Sequence, residues 1–163
     1  ADMRMGGYPS KTKSFAWVDK GRYLATSGAE AVVLWPFTDK NGPMGKSGLQ
    51  RFGLGALCTA VAAHPKQGIL AAGFADGAVL LYRTDDEMEV LVAGRTDEEV
   101  PVTAIAFSRD GKQLGFGRED HTRFVAAYIR LEEDVEGAFA RLAPSAHPVS
   151  SRGRGSHPCG CRP

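Results

Sequence analysis

Apolar and small residues recur along this chain in short runs, and three stretches share one pattern. They are Ser14-Phe-Ala-Trp-Val-Asp-Lys-Gly-Arg-Tyr-Leu-Ala-Thr-Ser27, Ala60-Val-Ala-Ala-His-Pro-Lys-Gln-Gly-Ile-Leu-Ala-Ala-Gly73 and Ala104-Ile-Ala-Phe-Ser-Arg-Asp-Gly-Lys-Gln-Leu-Gly-Phe-Gly117. Phe15, Val61 and Ile105 occupy one slot, at spacings of 46 and 44 residues, and Ala16, Ala62 and Ala106 keep step beside them. Each stretch reads as a short apolar strand, a turn marked by Gly21, Gly68 or Gly111, and a second strand built on Leu24, Leu70 or Leu114. A second turn follows at Glu30-Ala31, Asp76-Gly77 or Asp120-His121, and then a third strand over 32–35, 78–82 or 124–129. Its aromatic residues Trp35, Tyr82 and Tyr128 recur at spacings of 47 and 46. A fourth strand is expected over 89–92 and over 49–52. The first strands are apolar on both faces with alanine at alternate places, as suits a strand pressed between two neighbouring sheets.

Four antiparallel strands in each period of about 40 to 45 residues are the signature of a propeller blade. The expected fold is therefore all-β, a partial β-propeller of about three four-stranded antiparallel blades with an irregular C-terminal tail. The blades are expected at about 7–48, 53–93 and 95–130, followed over 131–163 by a short helix opening at the acidic run 132–136 and a basic tail rich in Gly, Ser, Pro and Arg. Met3-Arg-Met5 has the position of a fourth strand belonging to a preceding blade. Three blades leave two open faces, since about four to eight are needed to surround an axis. The chain is thus expected to be a fragment of a longer propeller or to associate with itself, as a homodimer in the simplest ring.

These residues resemble a WD40-repeat protein, and more narrowly bacterial WD40 proteins with a blade ending in Ala25-Thr-Ser-Gly-Ala29 and Val32-Val-Leu-Trp-Pro-Phe37. The resemblance runs from residue 7 to about residue 129. It implies a buried hydrogen-bonded set in which Trp35 supplies the tryptophan, Thr26 or Ser27 the hydroxyl, and Asp76 and Asp120 the tight-turn aspartate. The histidine of that set is absent, its place being taken by Gly7-Tyr8, and Pro36 replaces the aspartate that normally follows the tryptophan. Trp35, Asp76 and Asp120 are accordingly expected to be structural, with Trp35 largely buried. The resemblance also implies a protein-binding scaffold.

Charge and chemistry narrow the function further. Twenty basic side chains stand against 19 acidic ones, a net charge of +1, so no global field favours nucleic acid or an anionic membrane. No apolar run matches a membrane helix or a signal peptide, and Cys58, Cys159 and Cys161 do not form a disulfide framework, which makes a cytoplasmic location the expectation. Neither a Ser-His-Asp nor a Cys-His set can be nominated, so the chain is expected not to be an enzyme and to need no cofactor. Two alternatives remain. Gly42-Pro-Met-Gly-Lys46-Ser47 resembles part of a phosphate-binding loop, the basis of a nucleotide-dependent switch or enzyme, but Lys40 stands at the leading position and no helical pattern follows. His157, Cys159 and Cys161, with His147, offer soft metal ligands in the tail. For protein binding the expected contacts are Tyr8, Lys11, Phe52, Phe74 and Arg118, because aromatic residues and arginine dominate interface hot spots. Phe52 and Phe74 also read as core residues, and Cys58 as a small buried hydrophobe.

Overall fold

The computed structural model describes residues 4–52, 55–119 and 124–131. Three antiparallel sheets account for all the regular structure among them, with no helix. The first holds β1 (Phe15–Val18), β2 (Tyr23–Thr26), β3 (Val32–Pro36) and β4 (Leu49–Arg51) in that order. The second holds β5 (Cys58–Ala63), β6 (Ile69–Phe74), β7 (Val79–Arg83) and β8 (Glu89–Ala93). The third holds β9 (Val102–Phe107), β10 (Gln113–Glu119) and β11 (Phe124–Arg130). The sheets are propeller-like blades that stand side by side without closing a ring. Blade one ends at β4, three residues beyond the boundary expected at residue 48, because β4 pairs with β3. Arg4 and Met5 form no strand and border the 43–46 loop beside Trp35, so the expected leftover strand is absent there. Asp120, the acidic run from Glu132 and the His147, His157, Cys159, Cys161 group lie outside the described residues.

Period-two alternation explains how the blades stack. In β6, Leu70, Ala72 and Phe74 point into a core shared with blade one, while Ile69 and Ala71 point into a second core shared with blade three. β7 divides in the same way, Leu80 and Tyr82 to one side and Val79 and Leu81 to the other. Every residue of β6 is therefore buried, whereas five consecutive residues of β11, which among the described residues has a neighbouring blade on one side only, are exposed. Each fully covered leucine contributes about 1.5 to 3 kcal/mol of hydrophobic stabilisation. Leu70→Ala, which empties a site with no exposed surface, costs about 2 to 5 kcal/mol.

The registers correct one expectation. Leu24 faces Trp35 and Leu70 faces Tyr82, but Leu114 faces Ile129. The aromatic slot of the third blade is thus filled by Ile129. Tyr128 stands one residue away and so on the opposite face, because a shift of one residue in a strand exchanges its faces.

Polar contacts stitch the blades along their first strands. Ser14 Oγ accepts the Val61 N–H at 3.0 Å and donates to the Val61 carbonyl at 3.2 Å. Thr59 sits at a bulge in β5, where its hydroxyl donates to the Val102 carbonyl at 2.5 Å. Backbone bonds between Cys58 and Gly28 and Ala29 close the first seam. Glycine is required at position 73 in the second seam, since a Cβ on Gly73 would overlap the side chain of Val102.

Candidate interaction surface

Antiparallel order sends each connection to one of two ends of the blades. One end collects the turns 19–22, 64–68 and 108–112 with the loops 37–48 and 84–88. The other collects the turns 27–31 and 75–78, the β8–β9 link and the segment before β1.

At the first end a cleft of about 630 Å³ opens between blades one and two, bordered by Trp17, Asp19, Lys20, His64, Lys66 and Asp85 among others. Asp19, Lys20 and Gly21 take φ values of 51, 55 and 85° in succession, a left-handed run that costs an ordinary residue about 1 to 2 kcal/mol. Arg22 holds the turn closed, its N–H donating to the Asp19 carbonyl at 3.0 Å and its guanidinium meeting the Asp19 carboxylate at 2.8 Å. Lys20 and Lys66 are exposed beside the cleft. Trp17 is 52% exposed and packs edge-on against Phe37 at 4.8 Å.

His64 forms the buried wall. Its Nδ1 accepts the N–H groups of Lys66 and Gln67 at 3.2 and 3.0 Å, which leaves the ring proton on Nε2, where it is donated to the Gly111 carbonyl at 3.2 Å. The imidazole thereby ties a turn of blade two to a turn of blade three, with the Phe107 ring 5.2 Å away. Gly111 has φ of 81°, and a Cβ there would run into the imidazole. Burial pushes the His64 pKa below the ordinary imidazole range, Lys66 adds to the lowering, and the Gly111 carbonyl opposes it. The ring clasps the two turns together through these hydrogen bonds.

The five contact residues expected from the sequence do not converge. Phe52 and Phe74 are 1% and 0% exposed and pack edge to face at 6.2 Å in the core between blades one and two. Their assignment to partner binding is corrected, because rings enclosed by two blades present no surface to a third body. Lys11 is exposed in the segment before β1. Arg118 is half-buried, its guanidinium donating to the Gly77 carbonyl at 2.6 and 3.0 Å and to the Gly94 carbonyl at 3.1 Å, so it caps a turn of blade two.

Tyr8 is half-buried in a relay on the outer side of blade one. Its hydroxyl accepts from Trp35 Nε1 at 2.6 Å and shares a proton with Thr26 Oγ1 at 2.5 Å. Thr26 in turn donates to the Val33 carbonyl at 3.2 Å. Trp35 is half-buried and not the largely covered residue expected, because among the described residues the N-terminal segment and the 43–48 loop, and no further blade, lie against it. Asp76, buried, accepts the Ala78 N–H at 3.0 Å and meets Arg95 Nε at 2.7 Å, which fixes the second tight turn.

The remaining chemistry is spare. Lys46 pairs with Asp39 at 2.5 Å and its loop runs directly into β4, so no helix N-terminus faces that loop. That pairing and the Asn41 N–H hold the Asp39 carboxyl below the usual range. Cys58 is 1% exposed, and burial pushes its thiol up to about 12, which keeps it an unreactive hydrophobe. No group of three metal-ligating side chains occurs among the described residues, and no helix there is long and apolar enough to cross a membrane. The sequence pattern did not single out the cleft residues Lys20 and Lys66 or the exposed aromatics Trp17 and Phe124, whereas Phe15, expected on an open blade face, is exposed. The available signal was the alignment of Phe15 and Trp17 with slots that elsewhere hold interblade residues. No family model and no curated protein matches this chain.

Proposed function

We propose that this chain is a non-catalytic protein-interaction scaffold built on WD40-like blades. The observation that carries the reading is the cleft where the turns of two blades converge, bordered by the exposed Lys20 and Lys66, the carboxylate of Asp85 and the rim of Trp17. Such a surface has what recognition of a protein needs: an aromatic anchor, charges of both signs that select the partner's register, and rigid backing from two shared cores. The Trp35, Tyr8 and Thr26 relay supports the WD40 resemblance, with Tyr8 standing where that family has its histidine and supplying a hydroxyl in place of an imidazole nitrogen. The reading extends to a cytoplasmic bacterial protein, which the resemblance and the lack of a disulfide framework favour.

The test is lysine cross-linking with peptide mapping on the chain isolated together with its partner. Cross-links from Lys20 and Lys66 to one protein are expected, and Lys20→Glu with Lys66→Glu should weaken binding about tenfold or more, equivalent to roughly 1.4 kcal/mol. Binding that survives both changes, with cross-links confined to Lys11 at the opposite end, removes the cleft as the site. ATP or GTP hydrolysis abolished by Lys46→Ala would replace the scaffold by a nucleotide-dependent protein.

A further inference from the structure

The two blade-to-blade contacts within the chain are one kind of contact made twice, always in the same direction. The side of each blade that meets its successor carries small residues at the middle of the first two strands, Ala16 and Ala25 in blade one and Ala60 and Ala71 in blade two, beside the larger Val18 and Ile69 toward one end. The side that meets its predecessor carries large ones. Val61 and Leu70 of blade two enter the first core, and Ile105, Leu114 and Phe116 of blade three enter the second. At the middle of the strands, small face against large face is thus the way these blades join, and Gly73 admits Val102 in the second seam.

One face of each kind is left over. Blade one presents Phe15, at the slot of Val61 and Ile105, 67% exposed. Blade three presents the small face again, Ala104, Ala106, Gly115 and Gly117 at the slots of Ala60, Ala62, Ala71 and Gly73. That face floors a groove of about 440 Å³ walled by Phe124 and Tyr128, which are 58% and 64% exposed. Among the described residues no charged side chain lines it, and apolar patches of this kind mark association surfaces.

We propose that the groove on blade three receives the Phe15 face of blade one from a second copy of this chain, and that two copies joined in this way at both seams close a ring of six blades. The occupant follows from continuity with the interface already made twice, because the groove of blade three and the Phe15 and Trp17 edge of blade one are exposed on one molecule, while Leu24 deeper on that face is covered by the segment carrying Tyr8. Six falls within the range of about four to eight blades that can surround an axis. Two seams related by a twofold axis leave no face uncovered, as closed symmetric assemblies require. The proposal concerns the blade faces and stands independently of the cleft.

The test is the mass of the full 163-residue chain in solution, by light scattering and sedimentation, with two single variants at exposed positions, Phe15→Glu and Ala106→Glu. The parent is expected at twice the 17.4 kDa of one chain, and each variant alone as a monomer that keeps its β-sheet circular dichroism. An equimolar mixture of the two should recover a one-to-one dimer, because the intact groove of one variant meets the intact Phe15 face of the other. Should Phe15→Glu fail to fold, Tyr128→Arg takes the place of Ala106→Glu and Trp17→Glu that of Phe15→Glu in the same mixture. A folded parent that stays monomeric overturns the proposal, including the case in which a neighbouring blade of a longer polypeptide covers these faces. So does a dimer indifferent to either variant, which is the outcome if like faces pair with like, or a mixture that remains monomeric.

Discussion

His64 shows how much a single side chain holds in this molecule. Its ring accepts two backbone N–H groups of its own turn and donates to Gly111 of the next blade, so protonating Nδ1 removes an acceptor and puts a charge beside Lys66. The folded-state pKa lies below the 6.5 of a free imidazole. The folded protein therefore takes up this proton later than the unfolded chain does on acidification. The stability contributed is fully present above pH 6.5 and is lost as the pH falls through the lower folded value. Urea unfolding of the parent and of His64→Asn at pH 8 and pH 5 checks this: the parent should lose more stability between the two than the variant. At pH 8 the variant should be less stable by about 1 to 3 kcal/mol, since it strands buried backbone groups. Tyr8 invites a parallel experiment. Tyr8→Phe removes the acceptor of Trp35 Nε1 and the partner of Thr26, and should cost about 1 kcal/mol for each net hydrogen bond lost. A variant that melts with the parent would show that water replaces the relay.

Among the elements, the seam between β6 and β9 is the most sharply determined. Gly73→Val puts a branched side chain where Val102 already lies and should destabilise the protein by about 1 to 3 kcal/mol through overpacking. Val102→Ala in the same chain should return part of that loss, and a double-mutant cycle should give a coupling of about 0.5 kcal/mol or more. Strict additivity would place the two residues out of contact. The strands themselves were legible in the sequence: third strands expected at 32–35, 78–82 and 124–129 are observed at Val32–Pro36, Val79–Arg83 and Phe124–Arg130. Short apolar runs between turn residues announce strands because those signals are local. Pairing register is not local. Tyr128 aligned with Trp35 and Tyr82 by spacing, yet Ile129 holds their place, because spacing along the chain does not reveal how many residues the intervening turn consumes.

At the scale of the whole molecule, stability is a sum over neighbours, as in other repeat architectures. Blade two is covered on both faces and its β6 is buried throughout, while β11 is exposed along most of its length. Hydrogen exchange on the dissociated Ala106→Glu variant should therefore be slowest in β6 and markedly faster in β9 and β11. In the parent, β9 and β11 should gain protection as concentration rises, in step with the ring proposed above. Uniform protection in the monomeric variant would contradict the stacking order.

By itself the sequence determined the all-β class, the repeat, the order of strands and the tight turns, including the aspartate at Asp76. Each of these depends on residues within a few positions of one another, where backbone preference and alternation act directly. Only the tertiary structure decided which face of each strand is covered and by what. It enclosed Phe52 and Phe74 between two blades, left Trp35 half-covered beneath the N-terminal segment and the 43–46 loop, and gathered Lys20, Lys66 and Trp17 around one cleft. Burial is a property of what stands across a face. That neighbour is distant along the chain or belongs to another molecule, so no local pattern can name it.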